Sequence, residues 1–325
     1  MVQEAARHDP ALAARALEGL RRYQTAPDPP EPPRRPIARD LAGSALRDVG
    51  GAGPPLVLVP SLINPPDVLD LDPDVSLAAD LAARGHRVFL LDWGPAEPRL
   101  GLDVAAHVEQ RLVPLLRTFD QPPALLGYCL GGTMALAAAQ LTSVRCTATL
   151  AAPWNFSAYP EPVRRGLESL VEAAGAMAEQ LRRLPMEVLQ TGFWGLDPAR
   201  VVAKFAGFAQ AERGSLAADR FVRLERWANA GEPLPLPAAK QLVHDLFARD
   251  ATGRGRWQVG GQTIHAQLPV PALHFTALDD RIAPAAAAPP GPQIGVKTGH
   301  VGLVIGRRGL AEVRPRLADF LASPA

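Results

Sequence analysis

The chain has 325 residues, 47% hydrophobic and 21% charged, which suits one large α/β domain with an insertion, or two domains at most. Its 34 Lys and Arg against 33 Asp and Glu leave a net charge of +1, so charge provides no case for nucleic acid or an anionic membrane surface as a partner. Two cysteines make no disulfide framework, and a reduced, cytoplasmic setting is expected. Charges run through Met1 to Tyr23 and deny it the apolar core of a signal peptide. No apolar run approaches the roughly 18 residues of a membrane span.

In chain order, apolar residues at Leu12, Ala16, Leu17 and Leu20 predict a helix over 11–22. Residues 26–35 are Pro-rich and read as an extended linker. Residues 1–44 are thus expected to precede the compact domain. Leu56 to Val59 is a strand-sized apolar run, followed by the loop from Pro60 to Pro66. Residues 67–83 read as a loop and a helix, 86–93 as a strand, 104–118 as a helix, and 124–127 as a strand entering a tight turn. Thr147 to Ala151 is a further strand. Strands alternating with helices predict a doubly wound, mostly parallel sheet of the α/β-hydrolase kind, with its site at the strand C-termini.

The alternation stops near Asn155. Helical segments at 163–184, 198–211, 217–230 and 238–248 predict a helical lid over 155–262, inserted into a core formed by 45–154 and 263–325. Residues 269–277 and 293–297 are the expected last strands, and 310–321 a closing helix.

Gly127-Tyr128-Cys129-Leu130-Gly131-Gly132-Thr133 lies between an apolar strand and a small-residue helix. This G-x-C-x-G pattern reads as a nucleophile elbow with cysteine in the usual place of serine. The turn is tight, so glycines are needed where backbone passes close to backbone. The Leu130 N–H then points where an oxyanion would form, and a second donor is expected from Leu62 or Ile63. A thiol must be deprotonated to attack, and a neighbouring histidine and a helix N-terminus both favour the thiolate. His300 is the expected proton acceptor and donor, and Asp280 or its neighbour Asp279 the group that orients it. The order cysteine, aspartate, histidine is the order this architecture uses. No metal or cofactor is called for. Asp92, His244, His274, two arginine pairs (Arg164-Arg165 and Arg182-Arg183), and Trp194, Trp227 and Trp257 are further polar or aromatic residues weighed between packing and function.

These residues resemble the polyhydroxyalkanoate synthases. The elbow is similar to that family's, as is the segment Pro60-Ser61-Leu62-Ile63-Asn64 followed by Val68-Leu69-Asp70-Leu71. Gly85 to Leu90 with Trp93, Asp280-Arg281-Ile282-Ala283-Pro284, and Gly299-His300 match too. The resemblance favours Asp280 over Asp279. It departs at Arg281, where the family has histidine, and at Pro65-Pro66, which replaces a lysine-aromatic pair. It implies a Cys129–Asp280–His300 triad that polymerises (R)-3-hydroxyacyl groups from CoA thioesters, with acyl-CoA as substrate. It also implies a homodimer or a second synthase subunit, and a polyester granule surface, as partners. A hydrolase acting on thioesters, esters or the polyester would use the same triad with water as acceptor. A non-catalytic synthase partner is the third reading, against which the intact triad order stands.

Overall fold

The computed structural model describes residues 9–29 and 34–323. The first eight residues, residues 30–33 of the expected linker, and the last two lie outside the described residues. Eight strands form one sheet: β1 (Ile37–Leu41), β2 (Ser44–Gly50), β3 (Pro55–Val59), β4 (Arg87–Asp92), β5 (Ala124–Tyr128), β6 (Thr147–Leu150), β7 (Ala272–Ala277) and β8 (Gln293–Val296). Their spatial order is β1-β2-β4-β3-β5-β6-β7-β8. From β4 through β8 neighbouring strands are parallel. The chain begins the sheet earlier than the expected start near Ala45. β1 and β2 are an antiparallel hairpin, and β2 pairs antiparallel with β4. Its turn, Ala42-Gly43, takes positive φ at both residues (50° and 86°), as a two-residue hairpin of this twist requires. β1 is charged and largely exposed, so its strand character comes from pairing and escapes a pattern reading.

The inner strands are apolar because helices cover both faces. Alternate residues of β3 serve different layers. Val57 and Val59 pack with α3 (Val104–Leu116, π-wound at Val108–Leu112) and with α4 (Leu130–Leu141). Leu56 and Leu58 pack with α2 (Leu77–Ala83) and with the closing helix Arg314–Ala322. The period of two along a strand divides the core into these two layers.

Between β6 and β7 the insertion is helical: α5 (Glu161–Ala173), α6 (Gly175–Leu181), α7 (Met186–Leu196), α8 (Pro198–Gln210) and α9 (Leu216–Asn229). The single helix expected over 163–184 is two helices, and the second ends at Arg182 in the left-handed region (φ 56°). Helix α7, absent from the sequence reading, follows Pro185 and holds Gly192 and Gly195, residues that obscure a helical pattern. Leu236–Lys240 and the π-wound stretch Gln241–Ala248 then lead back toward the sheet. Among the described residues no helix is long and apolar enough to cross a membrane.

The N-terminal helix α1 (Pro10–Gln24) is part of this assembly and packs along α8. Ala16 meets Val202 and Ala206. Arg22 donates to the carbonyls of Ala209 and Ala211 at the end of α8. At Gly19 the backbones come so close that a Cβ would lie 1.8 Å from the Phe205 carbonyl oxygen. Gly19→Val must therefore push α1 off α8. Overpacking of this kind costs about 1–3 kcal/mol. The expected result is a lower melting temperature and faster proteolysis around 198–210; an unchanged melt would show that α1 adds nothing to the lid.

Candidate active site

Cys129 stands at the C-terminal end of β5, in the left-handed region, with φ 55° and ψ −133°. For a residue with a Cβ this is a strained conformation, costing about 1–3 kcal/mol unless the surroundings enforce it. Three glycines supply the enforcement. A Cβ on Gly127 would lie 2.3 Å from Gly132 Cα, one on Gly131 2.2 Å from the Val59 carbonyl oxygen, and one on Gly132 2.4 Å from Ala152 Cβ. The first turn of α4 is thus pressed onto β5, β3 and the end of β6. The Cys129 N–H donates to the Leu150 carbonyl at 3.0 Å, which fixes the turn to β6. Leu130 opens α4, so its N–H is one of the first-turn donors that a helix cannot satisfy internally.

The acid and the histidine arrive from the last two strands. Asp280 follows β7 and is 8% exposed; His300 follows β8 and is equally buried. His300 Nδ1 donates to Asp280 Oδ2 at 2.6 Å. The other carboxylate oxygen, Oδ1, accepts from the N–H groups of Ile282 and Ala283 at 2.8 and 3.1 Å. Asp279 instead pairs with Lys297 at 2.6 Å at the surface, so the structure brings Asp280 and not Asp279 to the imidazole. Burial alone would push the His300 pKa down. The Asp280 carboxylate, which accepts from the ring, and the nearby Cys129 sulfur overcome this and raise it to about 10. The arrangement favours an imidazolium at His300, placed beside the Cys129 sulfur.

The loop Pro60 to Pro66 forms the opposite wall. Trp93 Nε1 donates to the Pro60 carbonyl at 3.1 Å. Asn64 Nδ2 donates to the carbonyls of Ala228 and Ala230, and Trp227 Nε1 to that of Pro65. The end of α9 is therefore tied to this loop. The Ile63 N–H is directed at Ser61 Oγ, 3.3 Å away, whereas among the described residues the Leu62 N–H meets no protein acceptor. Both second-donor candidates are buried in the core, and of the two Ile63 also lines the cavity.

Cys129, His300 and Asp280 open into a cavity of about 390 Å³ between the sheet and the lid. Phe193, Trp194, Leu196, Phe221, Leu224 and Trp227 give it a mainly apolar wall. Trp194 and Trp227 belong to it, while Trp257 packs against Trp154 elsewhere. Residues that the sequence signal missed include Tyr159, whose hydroxyl donates to the Ile282 carbonyl and so braces the acid loop. They also include Arg200, Lys204 and Glu225 of the lid, whose spacing looks like that of any solvated helix. Asp92 pairs with Arg47, and His274 is a core residue bonded to Thr149. Among the described residues no group of three or more His, Cys, Asp or Glu converges as a metal site.

A sheet, elbow and insertion of this kind define the α/β-hydrolase class, and the chain belongs to the alpha/beta hydrolase fold family, which it matches over residues 54–293. Within that class it is similar to the poly(3-hydroxyalkanoate) polymerase subunit PhaC of Haloferax mediterranei, with 27% identity over 82% of this chain and 58% of that protein. The same subunit of Allochromatium vinosum is 25% identical over 82% of this chain and 80% of its own length. The chain thus spans about three fifths of the Haloferax protein. Among solved structures, BpoC of Mycobacterium tuberculosis shares the fold at a TM-score of 0.52, with 15% identity over 89% of this chain and 98% of that one.

Two measurements check the site. Asp280→Asn should lower turnover far more than Asp279→Asn; the reverse order would reassign the acid. The raised His300 pKa also has a signed consequence for stability. Its contribution is complete below the ordinary imidazole pKa of about 6.5 and is lost as pH rises toward about 10. Melting temperature should therefore fall across that window more steeply in the native protein than in His300→Gln.

Proposed function

We propose that this chain is an acyltransferase that takes (R)-3-hydroxyacyl groups from CoA thioesters through a covalent thioester on Cys129 and extends a polyester. What carries the reading is a cysteine, not a serine, at the strained elbow, facing a buried His300–Asp280 pair, in a chain similar to polymerase subunits over four fifths of its length. The Cys129 thiolate attacks the thioester carbonyl. The oxyanion is met by the N–H of Leu130 and one of Leu62 or Ile63. The bond to the CoA sulfur breaks, and that sulfur takes the proton from the His300 imidazolium. A chain-end hydroxyl then gives its proton to His300 and attacks the Cys129 thioester, restoring the thiolate and forming an ester. Asp280 holds the imidazole and balances its charge throughout. A thioester suits this cycle, because sulfur is a good leaving group toward an alcohol.

No resident cofactor is needed in this cycle, since CoA arrives and leaves with the substrate. A reducing, cytoplasmic setting would keep Cys129 reduced. A second copy or a second synthase subunit, and a polyester surface, are the partners proposed for the complete polymerase.

The purified chain is to be mixed with (R)-3-hydroxybutyryl-CoA, with CoA release and product size both followed and Cys129→Ala as control. High-molecular-weight polyester alongside CoA release, both lost in Cys129→Ala, is the expected outcome. CoA release with only free hydroxy acid would make the enzyme a thioesterase; no Cys129-dependent release would overturn both.

A further inference from the structure

Helix α8 carries two cations into the cavity, one turn apart. Arg200 marks the catalytic end, because its guanidinium packs on Gly299, next in chain to His300: a Cβ on that glycine would lie 2.6 Å from Arg200 Nη2. Lys204, four residues on, shares the helix face about 6 Å further along the axis. Its ammonium donates to both oxygens of Glu225 on α9, at 2.8 and 2.7 Å. Glu225 is only 5% exposed. Both residues line the cavity, in company with Phe221, Leu224 and Trp227.

An ion pair set in an apolar wall discriminates among chains that reach it. The Glu225 carboxylate is stable there only while the ammonium stays on it. An alkyl chain pressed against the pair would remove its remaining solvent and return no hydrogen bond, which is unfavourable. A short chain stops before it. With His300 protonated, the lining as a whole carries four cationic side chains against four carboxylates, so it provides no excess positive charge to draw the phosphates of CoA inward past the pair.

We infer that the Lys204–Glu225 pair is a specificity-determining wall of the acyl cavity, which admits short 3-hydroxyacyl groups and excludes those with long alkyl tails. The inference rests on the acyl-transfer reading of this same cavity. It names residues of the lid, away from the triad, as the ones that set chain length.

The test uses Lys204→Met/Glu225→Leu, which removes both charges at similar volume, with 3-hydroxybutyryl-CoA and 3-hydroxyoctanoyl-CoA as competing donors. The native protein should favour the butyryl donor in kcat/KM. The double variant should shift the ratio at least about tenfold toward the octanoyl donor, given that one methylene in an apolar pocket is worth about 10- to 200-fold. The reversed pair, Lys204→Glu/Glu225→Lys, should keep the native preference. An unchanged ratio in a folded, active double variant overturns the inference. If that variant does not fold, binding to the native protein decides: Trp194 and Trp227 fluorescence should report tighter binding of 3-hydroxybutyrate than of 3-hydroxyoctanoate, and equal or reversed affinities overturn it. Length-selective binding without any thioester turnover would refute the acyl-transfer reading and leave the wall in place.

Discussion

The site depends on one backbone conformation, that of Cys129. A residue with a Cβ does not stay at φ 55° and ψ −133° on its own account. It is held there because Gly127, Gly131 and Gly132 let α4 approach β5, β3 and the end of β6 more closely than any side chain would allow. The same compression lifts the sulfur clear of the sheet and brings the free N–H of Leu130 beside it. Strain, nucleophile presentation and oxyanion donor are therefore consequences of a single packing contact.

Around that turn the site is assembled from pieces far apart in sequence. β7 and β8 lie beyond the whole lid in sequence, yet they pair next to β6 and so deliver Asp280 and His300 to the cysteine. Burial then sets the electrostatics. The His300–Asp280 hydrogen bond of 2.6 Å is shielded from solvent, so the carboxylate acts on the imidazole at low dielectric and holds its proton well above the usual range. Burial by itself would have had the opposite effect. The carboxylate and the sulfur decide the sign.

The lid is held from two sides, by the core and by the N-terminal helix. The end of α9 grips the loop after β3 through Asn64 and Trp227, and α1 lies along the back of α8 through Gly19 and Arg22. The inner face of α8 meanwhile lines the cavity. The chain before the sheet thus reaches the cavity through one intervening helix, which joins an N-terminal segment to a site it does not touch.

Much of this was legible in the sequence, for local reasons. The glycine spacing around Cys129, the buried runs of β3 and β5, and the order of cysteine, aspartate and histidine are local patterns, and each predicted its element. What the sequence left open were matters of three-dimensional neighbourhood. Asp279 and Asp280 are adjacent in the chain and local pattern alone does not separate them; the family resemblance favours Asp280, and the fold turns it toward His300 and Asp279 toward Lys297. β1 is a charged segment that becomes a strand by pairing with β2. Lys204 and Glu225 lie on separate helices and meet only in the fold. Tertiary structure decided these outcomes because they depend on which surfaces meet, and a periodicity records only which face of a segment is apolar.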